Sequence, residues 1–386
     1  FTAIPSNWSV GQTIDYLREN KELPEEFLEI FIVDKDFKPI GTVPSSRVLR
    51  TPRNSKMNSI MREIPVLISV NMDKEEDVLL ENYDPNAMER LGLGSKVLTE
   101  VNPRLIYASG SGYGLTGPAK DNLAMDLTVQ AIGGVMSVNG PETGPPMKTG
   151  PAICDFVGGV HLYAGIATAL FEREKTGLGR IVEVAMQDAI YPVLTSNIAS
   201  LHRNNWKQPL RRGNRHPTRG SAPYNVYATK DGFVAIICVQ EAHWQSLLGI
   251  LDREDLKDDP RFVNQAVRAE NEDFIDNLVT NWTKTVYREE AAALLKEKRV
   301  PAAPVRNLEE VTSDRHMHQR GMLKRMRHPV MGNVVLPTSP IKFHNSPEPT
   351  IIFEPEIGQH TSEILEGWLG FNQQTIKQMR ENRVIS

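Results

Sequence analysis

Between residues 104 and 190 the chain alternates short apolar runs with longer segments of helical periodicity, and this alternation limits the possible folds more than any other feature. The pattern predicts strands over 104–109 and 181–185. Helices are predicted over 122–136 and 157–174, with a further helix from Gln187. Strands that alternate with helices are typical of a parallel sheet covered by helices. The sequence therefore predicts an α/β fold here.

Beyond residue 221 strands and helices no longer alternate regularly. Strands are predicted over 224–228, 233–238, 305–306 and 332–343, and helices over 241–251, 272–283, 289–298 and 361–369. This part of the chain is therefore predicted to be mixed α+β.

The first seventy-odd residues have a different pattern. Val10, Ile14 and Leu17 lie at helical spacing, and two short buried strands are predicted over 27–33 and 40–43. A second segment with the beginning of the same pattern, called here the second start, begins at residue 55 and ends near Glu76. The change in pattern after Glu76 predicts a domain boundary.

Composition narrows the class of partner. The chain has 386 residues, 40% of them hydrophobic, and its 44 basic and 48 acidic residues give a formal net charge of −4. The chain has no long run of like charge, so neither nucleic-acid binding nor attachment to a membrane surface is predicted. By this count no apolar stretch approaches the roughly 20 residues that a membrane helix needs. Two cysteines make a disulfide scaffold improbable and are typical of a reducing cytoplasm. We expect a cytoplasmic protein with small-molecule partners.

Asp155 is the most unusual acid in the chain. It follows the apolar run 151–154 and precedes a long apolar helix that contains the pair Gly158-Gly159, so we predict a carboxylate at a buried strand-to-helix junction. Aspartate is a preferred helix N-cap, which is the ordinary explanation. The glycines also favour close approach of a ligand, and a carboxylate so placed can attack a thioester. Both interpretations stay open on the residues alone.

Short segments spread over residues 77–361 together resemble the class III CoA-transferase family, also called CaiB/BaiF. They are DVLLENY (77–83), RLGLG (90–94), NPRLIYAS (102–109), AGIATALFER (164–173), TGLGR (176–180), VEVAMQDA (182–189), GNRHP (213–217) and GQHT (358–361). The resemblance implies a Rossmann-like large domain over 77–220 and 330–386 and a small mixed domain over 221–329. It also implies a homodimer that uses an acyl-CoA and a small carboxylic acid, with CoA as substrate and no permanently bound cofactor.

The resemblance assigns roles to individual residues. Asp155 stands where the family has its nucleophile, which would form an aspartyl mixed anhydride and then an aspartyl-CoA thioester. The positions implied to contact CoA are Asn82, Tyr83, Asp84, Arg90, Leu123, Ala124, Met125 and Asp126. The α-methylacyl-CoA racemases of the family are an alternative. They pair the aspartate with a histidine about thirty residues earlier, where this chain has Met125, which carries no proton.

Other candidate sites are weaker. The glycine-rich run 109–114 lacks the ending of a phosphate loop and is interpreted as a turn after a strand. His316 and His318 lie two residues apart, so they face apart on a helix, and no metal site is predicted.

Residues 1–76 resemble the CBS domain pair of bacterial magnesium transporters in TAIP (2–5), VGQTIDYLR (10–18) and MDKEE (72–76). The family to which 77–386 is compared begins instead with about eighty residues that complete its sheet and its CoA site. The large domain is therefore expected to be incomplete at its N-terminus. Transfer is expected to be weak or absent unless another chain supplies that part. A catalytically impaired fusion with a regulatory or binding role is the third alternative.

Overall fold

The computed structural model describes residues 3–20, 29–34, 39–63, 78–207, 211–346, 351–382 and 384–385. The chain divides into two units, one formed by Phe1–Glu75 with Ile352–Ser386 and the other by Glu76–Ile351. Residues 352–386 thus group with the first unit. The predicted division at residues 220 and 330 stays a prediction.

The N-terminal part of the first unit is a small α/β layer. Its elements are β1 (Ala3–Pro5), α1 (Val10–Glu19), β2 (Glu29–Val33), β3 (Pro39–Pro44), α2 (Ser45–Arg50), a 3₁₀ turn (Met57–Ser59) and β4 (Arg62–Glu63). The sheet order is β1-β2-β3-β4, with β1 parallel to β2 and the other pairs antiparallel. Ser9 and Gln12 form a capping box at the start of α1. The predicted helix and two strands are confirmed, whereas most of the second start (64–76) lies outside the described residues.

The first half of the second unit is built on a parallel sheet. Its elements are β5 (Val78–Glu81), α3 (Ala87–Arg90), α4 (Ser95–Val101), β6 (Ile106–Ser111), α5 (Asp126–Ile132), α6 (Val135–Val138), α7 (Ile153–Thr176), β7 (Ile181–Ala185), α8 (Met186–Ile190), a 3₁₀ turn (Tyr191–Leu194) and α9 (Thr195–Arg203). The strands pair in the order β5-β6-β7, and both pairs are parallel. The predicted α/β fold is confirmed.

Helix α7 packs closely on this sheet because glycines leave room for it. A Cβ at Gly110 of β6 would lie 3.1 Å from Leu162 Cδ2, and one at Gly165 of α7 would lie 2.7 Å from Val182 Cγ1 of β7. The helix runs antiparallel to the strands, since Leu162 meets the carboxyl-terminal part of β6 whereas Gly177 at the other end meets Arg104. The first turn of α7 therefore lies at the carboxyl edge of the sheet.

The second half of this unit forms a mixed layer with its own core. Its elements are β8 (Tyr224–Ala228), β9 (Phe233–Ile237), α10 (Glu241–Ile250), a 3₁₀ turn (Glu254–Leu256), α11 (Gln265–Glu270), α12 (Glu272–Thr283), α13 (Arg288–Glu297), β10 (Ala302–Pro304), α14 (Leu308–Thr312), α15 (Arg315–Gln319), β11 (Leu323–His328) and β12 (Gly332–Pro337). The antiparallel sheet β10-β9-β8 packs against helices through Trp244, Leu247 and Ile275, all fully buried. Strands β11 and β12 form a separate hairpin.

Two further helices, α16 (Thr361–Gly367) and α17 (Gln373–Glu381), lie in the C-terminal part of the first unit.

Three sequence predictions were wrong in detail. The helix predicted over 122–136 is two short helices, because Gly133 and Gly134 separate them and Gly134 has a φ of 89°. The strand predicted at 305–306 is β10, three residues earlier. Strand β11 was missed, since its three basic residues interrupt any apolar run.

The expectation about membrane segments also needs correction. Within the described residues, α7 is long and apolar enough to cross a membrane by length and composition. A count of unbroken apolar residues overlooked it because glycine, alanine, threonine and histidine interrupt the run. One face of the helix packs closely on β6 and β7.

Candidate active site

Asp155 lies in the first turn of α7, as the third residue of the helix. Ala152 occupies the N-cap, so Asp155 does not cap the helix, and the N-cap interpretation is wrong. The predicted buried junction is also wrong, because the Asp155 side chain is exposed and an irregular segment, not a strand, precedes the helix. Among the described residues its carboxylate makes no hydrogen bond or ion pair. The carboxylate is therefore free to react.

The position of Asp155 follows from helix geometry. Leu162, which packs over Gly110, is seven residues further along α7, close to two helical turns. Asp155 is therefore on the face of α7 that meets the sheet, about 10 Å beyond Leu162. It stands past the carboxyl ends of the strands, where ligands bind in parallel α/β sheets.

Two features raise the pKa of the Asp155 carboxyl above its ordinary value. The larger is partial desolvation by the surrounding chain, and the second is the negative charge of Asp126. Both disfavour the ionised form. A carboxylate with a raised pKa is a better nucleophile once ionised, because nucleophilicity rises with basicity.

The two segments predicted to contact CoA come together at the same edge. Asn82, Tyr83 and Asp84 follow β5 directly, and all three are exposed. The side-chain amide of Asn86 donates to Asp121 Oδ1 at 2.9 Å, which joins this turn to the loop that leads into residues 123–126. The structure thus joins the two predicted segments to each other, and Asp126 of the second one contacts the first turn of α7 through the Cys154 N–H.

Individual side chains in these segments differ in their availability. Arg90 is exposed and donates through Nη1 to the Pro85 carbonyl at 3.0 Å, so much of its guanidinium fork is open. Leu123 and Met125 are exposed, and Met125 is the N-cap of α5. The Asp126 carboxylate, in contrast, accepts from the backbone N–H of Cys154 at 2.8 Å and from Gln130 Nε2 at 2.6 Å. It is engaged within the protein.

The glycine-rich run 109–114, interpreted from sequence as a turn after a strand, begins inside β6, and its last residues lie at this edge. A Cβ at Gly112 would lie 2.0 Å from the Ala124 Cβ, so only glycine permits the observed approach. Glu183 of β7 accepts from the backbone N–H of Leu115 in the same loop. Neither contact has a local sequence signal, because each joins segments far apart in the chain. Fold and site together define an α/β protein that presents a free carboxylate at the carboxyl edge of a parallel sheet.

No group of three or more histidine, cysteine, aspartate or glutamate side chains that could hold a metal ion occurs within the described parts of the chain.

Comparison with known proteins agrees with this class. The sequence model of CoA-transferase family III matches residues 70–361. A formyl-CoA:oxalate CoA-transferase from Streptomyces avermitilis is 30% identical over 332 residues, covering 82% of this chain and 80% of that protein. A succinyl-CoA:mesaconate CoA-transferase from Haloarcula hispanica is 33% identical over 302 residues, covering 77% and 75%. The crystal structure of a CAIB/BAIF family protein from Brucella suis, 30% identical, matches with a TM-score of 0.64 over 76% of each chain.

This chain belongs to CoA-transferase family III. The resemblance to this family that the sequence motifs indicated is confirmed for residues 70–361.

Proposed function

We propose that the protein transfers CoA from an acyl-CoA thioester to a carboxylic acid and that Asp155 is its nucleophile. Family membership supports the reaction class, since the similar proteins named above are CoA-transferases. The observation that carries the role of Asp155 is its unengaged carboxylate in the first turn of α7, at the carboxyl edge of the sheet. CoA thioesters are substrates in this reaction, so no permanently bound cofactor is required.

The chemistry needs only this carboxylate and CoA itself. A carboxylate oxygen attacks the acyl carbon, the C–S bond breaks, and CoA leaves as thiolate from a mixed anhydride. The thiolate then attacks the aspartyl carbonyl, giving an aspartyl-CoA thioester and releasing the donor acid. The acceptor carboxylate attacks this thioester, expels the thiolate and forms a second mixed anhydride with Asp155. The thiolate then attacks the acceptor's acyl carbon in this anhydride, which gives the new acyl-CoA and releases the Asp155 carboxylate. Each step exchanges one acyl bond for another, and no oxidant or net proton is consumed.

The exposed residues of the two edge segments are proposed to hold CoA. Arg90 presents a guanidinium that suits a phosphate group. Tyr83 and Leu123 present apolar surface, and Asn82 presents an amide. Met125 lies where a racemase would need an acid or base, and methionine supplies neither. This position, which the family resemblance assigns, therefore favours transfer over racemisation.

The test compares the intact protein with Asp155→Asn, which keeps the shape and removes the charge. CoA exchange is measured between a labelled acyl-CoA and a panel of small carboxylic acids. We expect the variant to lose at least about 10³-fold in rate, as nucleophile removal does in covalent catalysis. Equal rates in the two proteins would remove Asp155 from the mechanism.

We also propose that the protein acts as a homodimer that covers α7. The face of α7 opposite the sheet carries Phe156, Val160, Tyr163 and Phe171, all exposed and all at helical spacing. A helix that is apolar on both faces is ordinarily buried on both.

The dimer proposal is tested by light scattering on the double variant Val160→Glu with Phe171→Glu. Leu308→Glu is the matched control, since Leu308 is exposed on α14, away from α7. We expect the double variant to be monomeric and the control to be dimeric. A monomeric parent protein, or a dimer that survives both charges, would contradict this interface.

The N-terminal segment is proposed to be a CBS-like module with a regulatory or structural role in a cytoplasmic protein. The order strand–helix–strand–strand–helix, with β1 parallel to β2 and β2 antiparallel to β3, supports this. Pro44 and Arg47 stand where adenosine-binding CBS units carry a hydroxyl and a ribose-binding acid. Nucleotide binding is therefore not expected. A shift in melting temperature with ATP would contradict that expectation, and a shift with Mg²⁺ alone would support a sensing role.

A further inference from the structure

The start of α7 lacks a cap of its own. The N-cap residue, Ala152, offers no side-chain acceptor, so the backbone N–H groups of the first turn need partners from elsewhere. Asp126, at the start of α5, supplies one: its Oδ1 accepts from the Cys154 N–H at 2.8 Å. The residue after Cys154 is Asp155. A carboxylate on another helix therefore holds the turn that carries the proposed nucleophile.

Gln130 holds this carboxylate in place. It lies one turn further along α5, is fully buried, and donates from Nε2 to Asp126 Oδ2 at 2.6 Å. Its Oε1 accepts from the Thr149 backbone N–H at 2.9 Å and from the Thr149 hydroxyl at 3.3 Å. That hydroxyl has a single hydrogen, which the Pro151 carbonyl at 2.9 Å shares with Oε1 as the nearer of the two acceptors. One buried amide thus joins α5 directly to Thr149, at the start of the irregular segment 149–152, and through Asp126 to Cys154 in the first turn of α7.

We propose that Gln130 is a positioning residue: by donating to Asp126 and accepting from Thr149, it fixes the segment before α7 and hence the place of the Asp155 carboxylate. The inference rests on the proposed role of Asp155 as nucleophile. Gln130 does not reach the reacting atoms, since both ends of its amide are engaged within the protein. Its effect passes through the backbone that precedes Asp155.

The two acids at this edge, Asp126 and Asp155, differ in their hydrogen bonds. Asp126 accepts two hydrogen bonds, whereas Asp155 has no partner among the described residues. Gln130 keeps Asp126 oriented toward the Cys154 N–H. Without Gln130 the Asp126 carboxylate would lose one donor and the half-buried Thr149 would lose its acceptor, and a nearly isosteric apolar side chain cannot replace either.

Two substitutions test the proposal in the intact protein. Gln130→Met keeps the size and removes both hydrogen bonds. Gln130→Glu keeps an acceptor for Thr149 and can donate to Asp126 only while the new carboxyl is protonated. Gln319→Met, the same change at an exposed position of α15, is the matched control.

For Gln130→Met we expect kcat to fall about 10- to 100-fold, because a misplacement of about 1 Å at a reacting group costs that much. KM for the acyl-CoA should change less than about 3-fold, since the exposed CoA-contacting residues are untouched. Gln130→Glu should approach the parental kcat at low pH and lose activity relative to the parent as pH rises, because the two carboxylates then repel each other. A merely structural role would lower activity by the same factor at every pH.

A second readout is independent of turnover. Amide hydrogen exchange at Thr149 and Cys154 should accelerate in Gln130→Met and stay unchanged in Gln319→Met. Parental kcat in both Gln130 variants, a pH-independent loss in Gln130→Glu, or unchanged exchange at both amides would each overturn the proposal. If the parent protein and Asp155→Asn transfer CoA equally, the proposed function fails instead, and the exchange data still decide whether Gln130 holds this segment.

Discussion

Replacing Gly112 with alanine tests the close approach on which the site depends. The new Cβ would lie 2.0 Å from the Ala124 Cβ, whereas two carbon atoms ordinarily approach to about 3.5 Å. Alanine has no rotamer by which to withdraw, so the backbone must move by about 1.5 Å. Overpacking of this kind costs about 1–3 kcal/mol. Alanine also stabilises by about 0.4–1 kcal/mol through the unfolded chain, which leaves a net loss of up to about 2.6 kcal/mol.

The assay is equilibrium urea unfolding, with Gly150→Ala as matched control. Gly150 is a loop glycine of the same unit with negative or extended φ and no heavy atom within 4 Å of the added carbon, so the control should be neutral or slightly stabilised. Because the displaced residue is Ala124, we also expect KM for the acyl-CoA to rise in Gly112→Ala. Equal stability of the two variants would refute the reasoning, since only one of them should meet a steric clash.

Three further predictions concern charge and exposure. Partial desolvation, and then the negative charge of Asp126, raise the pKa of Asp155 above its ordinary value. Because only the ionised form attacks, activity should fall as pH drops through this raised pKa, and Asp126→Asn should move this limit to lower pH in a rate–pH profile. The buried Arg268 holds the pKa of Glu241 below its ordinary value, so the pair stabilises the protein above the ordinary carboxyl pKa, and this stabilisation is lost as pH falls through the lowered pKa. Because half of the Glu241 side chain is exposed to solvent, which screens the pair, Glu241→Gln should cost only about 0.2–1 kcal/mol in neutral urea titrations and flatten the acid limb. Burial, then the charge of Asp126, raises the pKa of Cys154 to about 11, so iodoacetamide should label it only after unfolding, as mass spectrometry can show.

Local sequence patterns predicted most elements of the second unit. Strands β7 and β8 and helix α12 have the predicted bounds, because each is a regular apolar pattern between clear turn residues. The helix predicted over 122–136 was wrong because apolar periodicity continues across Gly133 and Gly134, where the backbone does not.

The site was predicted less completely than the fold. The position of Asp155 beside a glycine pair drew attention to it, but its burial was wrong, because burial depends on what packs around a helix and not on the residues next to it. The roles of Gln130 and Gly112 were missed. Each depends on a segment distant in the chain, Thr149 for one and Ala124 for the other. Such contacts follow from the folded sheet and helices, and no spacing in the sequence predicts them.

The most direct measurement of the central claim is chemical trapping during turnover. Hydroxylamine added to the protein with an acyl-CoA and a carboxylic acid should intercept the activated aspartate, and peptide mapping by mass spectrometry would locate the resulting hydroxamate. We expect it at Asp155, dependent on acyl-CoA and absent in Asp155→Asn. A protein that transfers CoA while its hydroxamate forms on another carboxylate would contradict the role given to this residue.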